Sequence, residues 1–152
     1  AATHHKGRAD YELTRELRAA LDARGLDVPV VISGGLADAE RARAAYERSG
    51  ADAVMVARGG LGYPWIFGEL TGARSAAPTR DEVLEELEWV LSGAAEHWGE
   101  ERAARNLRKF YPWYLERLGI VGKAADAYQR TDSLDEVRGM LQALKRPDST
   151  PV

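Results

Sequence analysis

The sequence predicts an α/β segment, read as the last βα units of a (β/α)8 TIM barrel, followed by an all-α unit, a small helical bundle. Three observations predict it. Two short apolar runs, Val28–Ile32 and Ala53–Ala57, each lead into glycines, in VPVVISGGL and GADAVMVARGGLGYPWIF. A helical pattern of small residues joins them through short connections, which reads as a parallel βαβ unit. Beyond a polar linker the apolar residues recur only at helical spacing. The expected boundaries are 1–73 for the barrel portion, 74–78 for the linker, 79–146 for the helical unit and 147–152 for a disordered tail.

Asp10 is a plausible N-cap for a first helix, whose stripe Leu13, Leu17, Leu21 runs i, i+4, i+8 and is closed by Gly25. Val28–Ile32 is β-branched and bounded by turn residues, so a buried strand is expected. Asp38 opens a second helix with Ala39, Ala42, Ala45 and Tyr46 on one side, and Gly50 ends it. Ala53–Ala57 is the next strand, its glycine loop carries Arg58, and a helix is expected from about Leu61. Two parallel strands do not make a stable sheet alone, since three or more are usually needed. The first zone therefore looks like the tail of a larger barrel. The chain also opens AATHHKGRAD with no initiator methionine, as if cut from something longer, with N-terminal processing as the competing reading.

In the second zone Thr79 and Glu82 are spaced as a capping box. Val83, Leu84, Leu87, Val90, Leu91, Ala94, Ala95 and Trp98 follow at helical spacing. Asp81 to Glu101 holds eight acidic residues and no Lys or Arg. The next helix inverts the sign with Arg102, Arg105, Arg108, Lys109 and Arg117, and Pro112 should kink or split it. Two shorter helices are expected around Lys123–Gln129 and Ser133–Lys145, the latter with a Ser133/Glu136 capping box.

The 152 residues are 45% hydrophobic and 30% charged, so a folded globular chain is expected. The net charge of −3 gives no global sign of nucleic-acid binding, so any such role must rest on local charge. There are no cysteines, which excludes disulfides, thiolate–metal sites and a cysteine nucleophile in this chain. No apolar run approaches a membrane span, no signal-peptide pattern opens the chain, and no His/Asp/Glu trio has metal-ligand spacing.

The two glycine loops are the first candidate site. Strands that deliver glycines to adjacent turns present backbone N–H groups to an anion, as at the last two strands of a (β/α)8 barrel. Gly34, Gly35, Arg58 and Gly59 form the expected phosphate grip, with Ser33 and Ala57 in the same loops. Ordinary turn glycines and a solvated arginine are the competing reading. Arg105, Arg108 and Lys109 share a helix face and are the candidate RNA contacts. The competing reading there is a solvated face paired with the acidic helix before it. Tyr111, Trp113 and Tyr114 are expected to pack around Pro112 rather than stack on bases. Trp65 and Phe67 are expected as core anchors between the two zones, His4 and His5 in a loop, and His97 in a structural role.

Three of these segments together resemble the tRNA-dihydrouridine synthase family. Gly50–Phe67 resembles its last barrel strand, where a Gly/Ala-Arg-Gly turn runs into a Pro-Trp-hydrophobic-Phe helix. Val28–Leu36 stands in the place of its Ile-Pro-Val-Ile-Ala-Asn-Gly-Asp-Ile segment. Arg105–Tyr114, RNLRKFYPWY, resembles the Arg-rich helix of its C-terminal helical domain, and His5–Asp10 its Tyr-x-Gly-x-Ala-Asp element. The resemblance covers nearly the whole chain. Ser33 stands where the family usually has asparagine and Gly35 where it usually has aspartate. Those departures bear on contacts to the flavin ring and ribityl chain more than on backbone contacts to phosphate.

The resemblance implies an FMN barrel, reduced by NADPH, that passes hydride to a flipped-out uracil in tRNA while an acid group protonates the neighbouring carbon. In the family that acid is a cysteine on an earlier barrel loop, so no catalytic residue is expected in this chain, and the isolated chain is expected to be inactive. A cytoplasmic protein, monomeric in full-length form, is implied. Two other readings stand beside it: a non-catalytic RNA-binding helical module on a barrel remnant, and another FMN or phosphate-binding barrel with an unrelated helical tail.

Overall fold

The computed structural model of the protein describes residues 9–145, so His4, His5 and the expected tail lie outside the described residues. The chain divides into two compact units, 1–76 and 77–152.

In the first unit, helix α1 (Tyr11–Asp22) precedes strand β1 (Val31–Ser33), helix α2 (Ala39–Ser49), strand β2 (Ala53–Met55) and helix α3 (Ile66–Thr71). Asp10 caps α1 by accepting the Glu12 amide at 3.1 Å, and Asp38 caps α2 by accepting the Arg41 amide at 2.8 Å. Gly50 ends α2 in the left-handed region, φ 64°. The two strands pair in parallel with Val31 opposite Ala53, Ile32 opposite Val54 and Ser33 opposite Met55. Their core is Val30, Ile32, Leu36, Ala42, Ala45 and Ala51, with Tyr11, Leu21, Val54 and Leu70 packed on it. One sheet face is covered and the other is not: Ile32 is buried, while Val31 is 56% and Met55 55% exposed.

The strands are shorter than the expected runs, and Tyr46 faces solvent while Ala39, Ala42 and Ala45 are buried. The expected α1 stripe is also corrected. Leu13 and Leu17 are exposed, and α1 meets the core through Tyr11 and Leu21 instead. A polar latch sets that placement. Arg18 Nη1 reaches the Val28 carbonyl at 3.1 Å and Asp52 at 3.2 Å, and the same Asp52 oxygen accepts the Val30 amide at 2.7 Å.

The second unit is all helical: α4 (Arg80–Trp98), α5 (Glu100–Leu107), α6 (Tyr111–Arg117), α7 (Lys123–Arg130) and α8 (Leu134–Leu144). The Thr79/Glu82 capping box forms, with both reciprocal hydrogen bonds in place. Val83, Leu84, Leu87 and Leu91 of α4 are buried, as are Ala103, Ala104 and Leu107 of α5 and Leu134, Val137 and Leu141 of α8. Gly99, at φ 79°, separates α4 from α5. The basic helix is split at 108–110, and Pro112 falls in the first turn of α6, where its missing N–H costs nothing. The second expected capping box is only half made. Ser133 accepts the Glu136 amide at 3.3 Å, but the Glu136 carboxylate takes the Thr131 hydroxyl. Overall the chain is mostly helical with a small two-stranded sheet.

Candidate anion loops and basic face

Because β1 and β2 are parallel and in register, their C-terminal ends deliver the two glycine loops to the same edge. Ser33 Oγ ties those ends together by donating to the Met55 carbonyl at 3.1 Å. Past Ser33 the chain turns through Gly34 at φ 112° and Gly35 at φ 69°, a region open to glycine and costly for other residues. Past Met55 it runs through Val56 and Ala57 into a 3₁₀ turn, Arg58–Gly60. Gly59 sits against the first loop. A Cβ built on it would overlap the Leu36 carbonyl oxygen and lie 3.1 Å from Ala37 C and O. The second loop therefore closes on the first only because residue 59 has no side chain.

The site residues expected in the first unit are brought together: Ser33, Gly34 and Gly35 on one loop, Ala57, Arg58 and Gly59 on the other. Among the described residues the amides of Gly35 and Gly59 donate to no carbonyl, the Gly34 amide lies at the end of the β1–β2 ladder, and Arg58 makes no ion pair. Gly34, Gly35 and Arg58 are exposed and Gly59 half-buried. Unpaired loop amides and an exposed arginine on the neighbouring turn suit a phosphate, which offers several acceptor oxygens and a double negative charge. The residues therefore fit the phosphate end of a nucleotide cofactor.

Two expectations here are corrected. No helix begins at Leu61. Gly62, at φ 62°, interrupts the turn, and α3 begins at Ile66 and is six residues long. The loop amides, rather than a helix terminus, offer the donors. Phe67 is 53% exposed, its ring lying beside Gly60, so it is no core anchor. Trp65 is half-buried, with Tyr63 edge-on at 5.8 Å and Arg74 over its ring at 5.9 Å. One contact was not legible in the sequence. Tyr11, in the first turn of α1, donates its hydroxyl to the Gly34 carbonyl at 2.7 Å.

In the second unit the three basic candidates part company. Arg105 is 62% exposed and pairs with Glu101 at 3.3 Å. Lys109 is exposed, its ammonium 5.1 Å from the Phe110 ring centroid. Arg108 is only 33% exposed. Its Nε donates to the Thr131 carbonyl at 3.1 Å and its guanidinium pairs with Asp132, so it ties the α7–α8 connection. The shared helix face fails because α5 ends at Leu107. Tyr111 and Tyr114 are buried, and burial pushes both phenols up to about 12. Trp113 is half-buried with Phe110 at 5.8 Å. The tyrosines thus pack and do not present faces to bases. His97 is exposed beside Trp98.

Among the described residues no cluster of His, Cys, Asp or Glu could hold a metal ion, and no helix is long and apolar enough to cross a membrane.

Comparison with known proteins supplies the context. The family model described as dihydrouridine synthase (Dus) matches residues 1–146. The chain is 32% identical over 149 residues to a probable tRNA-dihydrouridine synthase of Mycobacterium leprae, covering 95% of this chain and 38% of that protein. It is 37% identical over 114 residues to a probable tRNA-dihydrouridine synthase of Rhizobium leguminosarum, covering 75% and 34%. With tRNA-dihydrouridine synthase B of Vibrio cholerae the identity is 30% over 150 residues, covering 95% and 44%. The chain thus spans less than half the length of these relatives.

Proposed function

The chain belongs to the dihydrouridine synthase family, and on that premise we propose that it is the C-terminal part of an FMN- and NADPH-dependent tRNA-dihydrouridine synthase. The observation that carries the reading is the closure of Gly59 on Leu36, which joins two glycine loops at the ends of adjacent parallel strands. On this reading β1 and β2 are the last two strands of a (β/α)8 barrel. Their uncovered face, with Val31 and Met55 exposed, supports it, since a parallel sheet is ordinarily covered on both faces.

The amides of Gly34, Gly35 and Gly59 and the Arg58 guanidinium would hold the FMN phosphate, with Ser33 and Ala57 shaping the loops. When bound, the flavin supplies the hydride that reduces the uracil 5,6 double bond. If the proton for the neighbouring carbon comes from a cysteine, as the family resemblance implies, that donor would lie outside these 152 residues, which contain no cysteine. The isolated chain would then bind without turning over. Arg105 and Lys109 would meet the tRNA backbone. The full-length protein would act in the cytoplasm as a monomer.

A non-catalytic RNA-binding module is the second reading. It is favoured by Ser33, whose hydroxyl hydrogen is spent on the Met55 carbonyl. The deciding experiment supplies the full-length protein with FMN, NADPH and unmodified tRNA. Dihydrouridine in the recovered tRNA supports the synthase; RNA binding with no dihydrouridine supports the module.

A further inference from the structure

The Gly34–Gly35 peptide is the least constrained link in the first loop, because two successive glycines permit its plane to flip. One side chain from outside the loop restrains it. Tyr11 Oη donates to the Gly34 carbonyl at 2.7 Å, across 23 positions of sequence. The Tyr11 ring is itself packed on the core cluster of the first unit, so the donor is held in place. A trans peptide is planar, and its C=O and N–H point in opposite directions. Holding the Gly34 oxygen toward α1 therefore directs the Gly35 amide away from α1, where it meets no protein acceptor among the described residues.

We propose that Tyr11 is a positioning residue for the anion loop: it selects the one orientation of the Gly34–Gly35 peptide in which the Gly35 amide is offered to phosphate. The inference rests on the phosphate reading above. Without the tether the loop populates both peptide orientations, and apparent affinity falls by the fraction that remains competent. The effect is confined to ligands that carry the phosphate.

The test titrates flavin-free full-length protein with FMN and with riboflavin, for the parent, Tyr11→Phe and Arg58→Ala. Tyr11→Phe is expected to weaken FMN about fivefold, the worth of one ordinary hydrogen bond, and to leave riboflavin unchanged. If Tyr11→Phe leaves FMN affinity intact while Arg58→Ala lowers it, the positioning role is overturned and the phosphate site stands. Equal losses for FMN and riboflavin in Tyr11→Phe would make the tyrosine merely structural and also overturn the proposal. No effect of either variant on FMN would remove the phosphate site, and the role of Tyr11 with it.

Discussion

Gly59 packs its Cα against the carbonyl oxygen of Leu36, so the turn after the second strand rests on the backbone of the turn after the first. Neither backbone can move aside cheaply, because Leu36 is buried in the core and Ser33 is bonded to Met55. Gly59→Ala is accordingly expected to destabilise the protein by about 1–3 kcal/mol, the usual cost of forcing an extra carbon into a packed site. It should also lower FMN affinity by parting the loops. Urea unfolding and flavin titration of the same variant check both halves.

The basic residues of the second unit make opposite predictions. Arg105→Ala with Lys109→Ala should leave stability within about 0.5 kcal/mol, since both side chains are exposed. The pair should lower tRNA affinity and reduce the slope of log K against log salt by about 2. Arg108→Ala should do the reverse, lowering the melting temperature because the Thr131 carbonyl and Asp132 lose their partner. Filter binding at several salt concentrations, beside thermal melts, separates the two classes.

Much of this was legible in the sequence and some was not, for physical reasons. The strand–glycine junctions were legible because β-branched runs ending in paired glycines have few alternative backbones. The caps at Asp10, Asp38 and Thr79 were legible because capping is local. Arg108 was misplaced because helical spacing assumes an unbroken helix, and α5 stops at Leu107. Leu13 and Leu17 were misplaced because the Arg18–Asp52 latch and Tyr11 seat α1 on the core without them. The start of α3 differs from the expected one because Gly62, at φ 62°, keeps the glycine turn from running on into a helix, which begins only at Ile66. Each miss came from a contact distant in sequence or from one residue's backbone.

The buried tyrosines predict an alkaline weakness. In the unfolded chain a tyrosine ionises near 10. Burial holds Tyr111 and Tyr114 protonated up to about 12, for Tyr111 against the opposing pull of Arg108 and Arg138. Between those values the folded state binds more protons than the unfolded, so stability falls as pH rises. The stabilisation is fully present below about pH 10 and is lost progressively toward about pH 12. Urea midpoints at pH 9 and pH 11 should differ by more than about 1 kcal/mol in unfolding free energy. Equal midpoints would show that these phenols are not shielded.

The central claim is that the two glycine loops and Arg58 hold the phosphate of FMN. The most direct measurement compares the dissociation constants of FMN and riboflavin for the flavin-free full-length protein, with and without Arg58→Ala. The account predicts that FMN binds at least about tenfold more tightly than riboflavin, and that Arg58→Ala removes most of that difference while leaving riboflavin alone. Equal affinity for the two flavins, or an FMN preference untouched by Arg58→Ala, would contradict it.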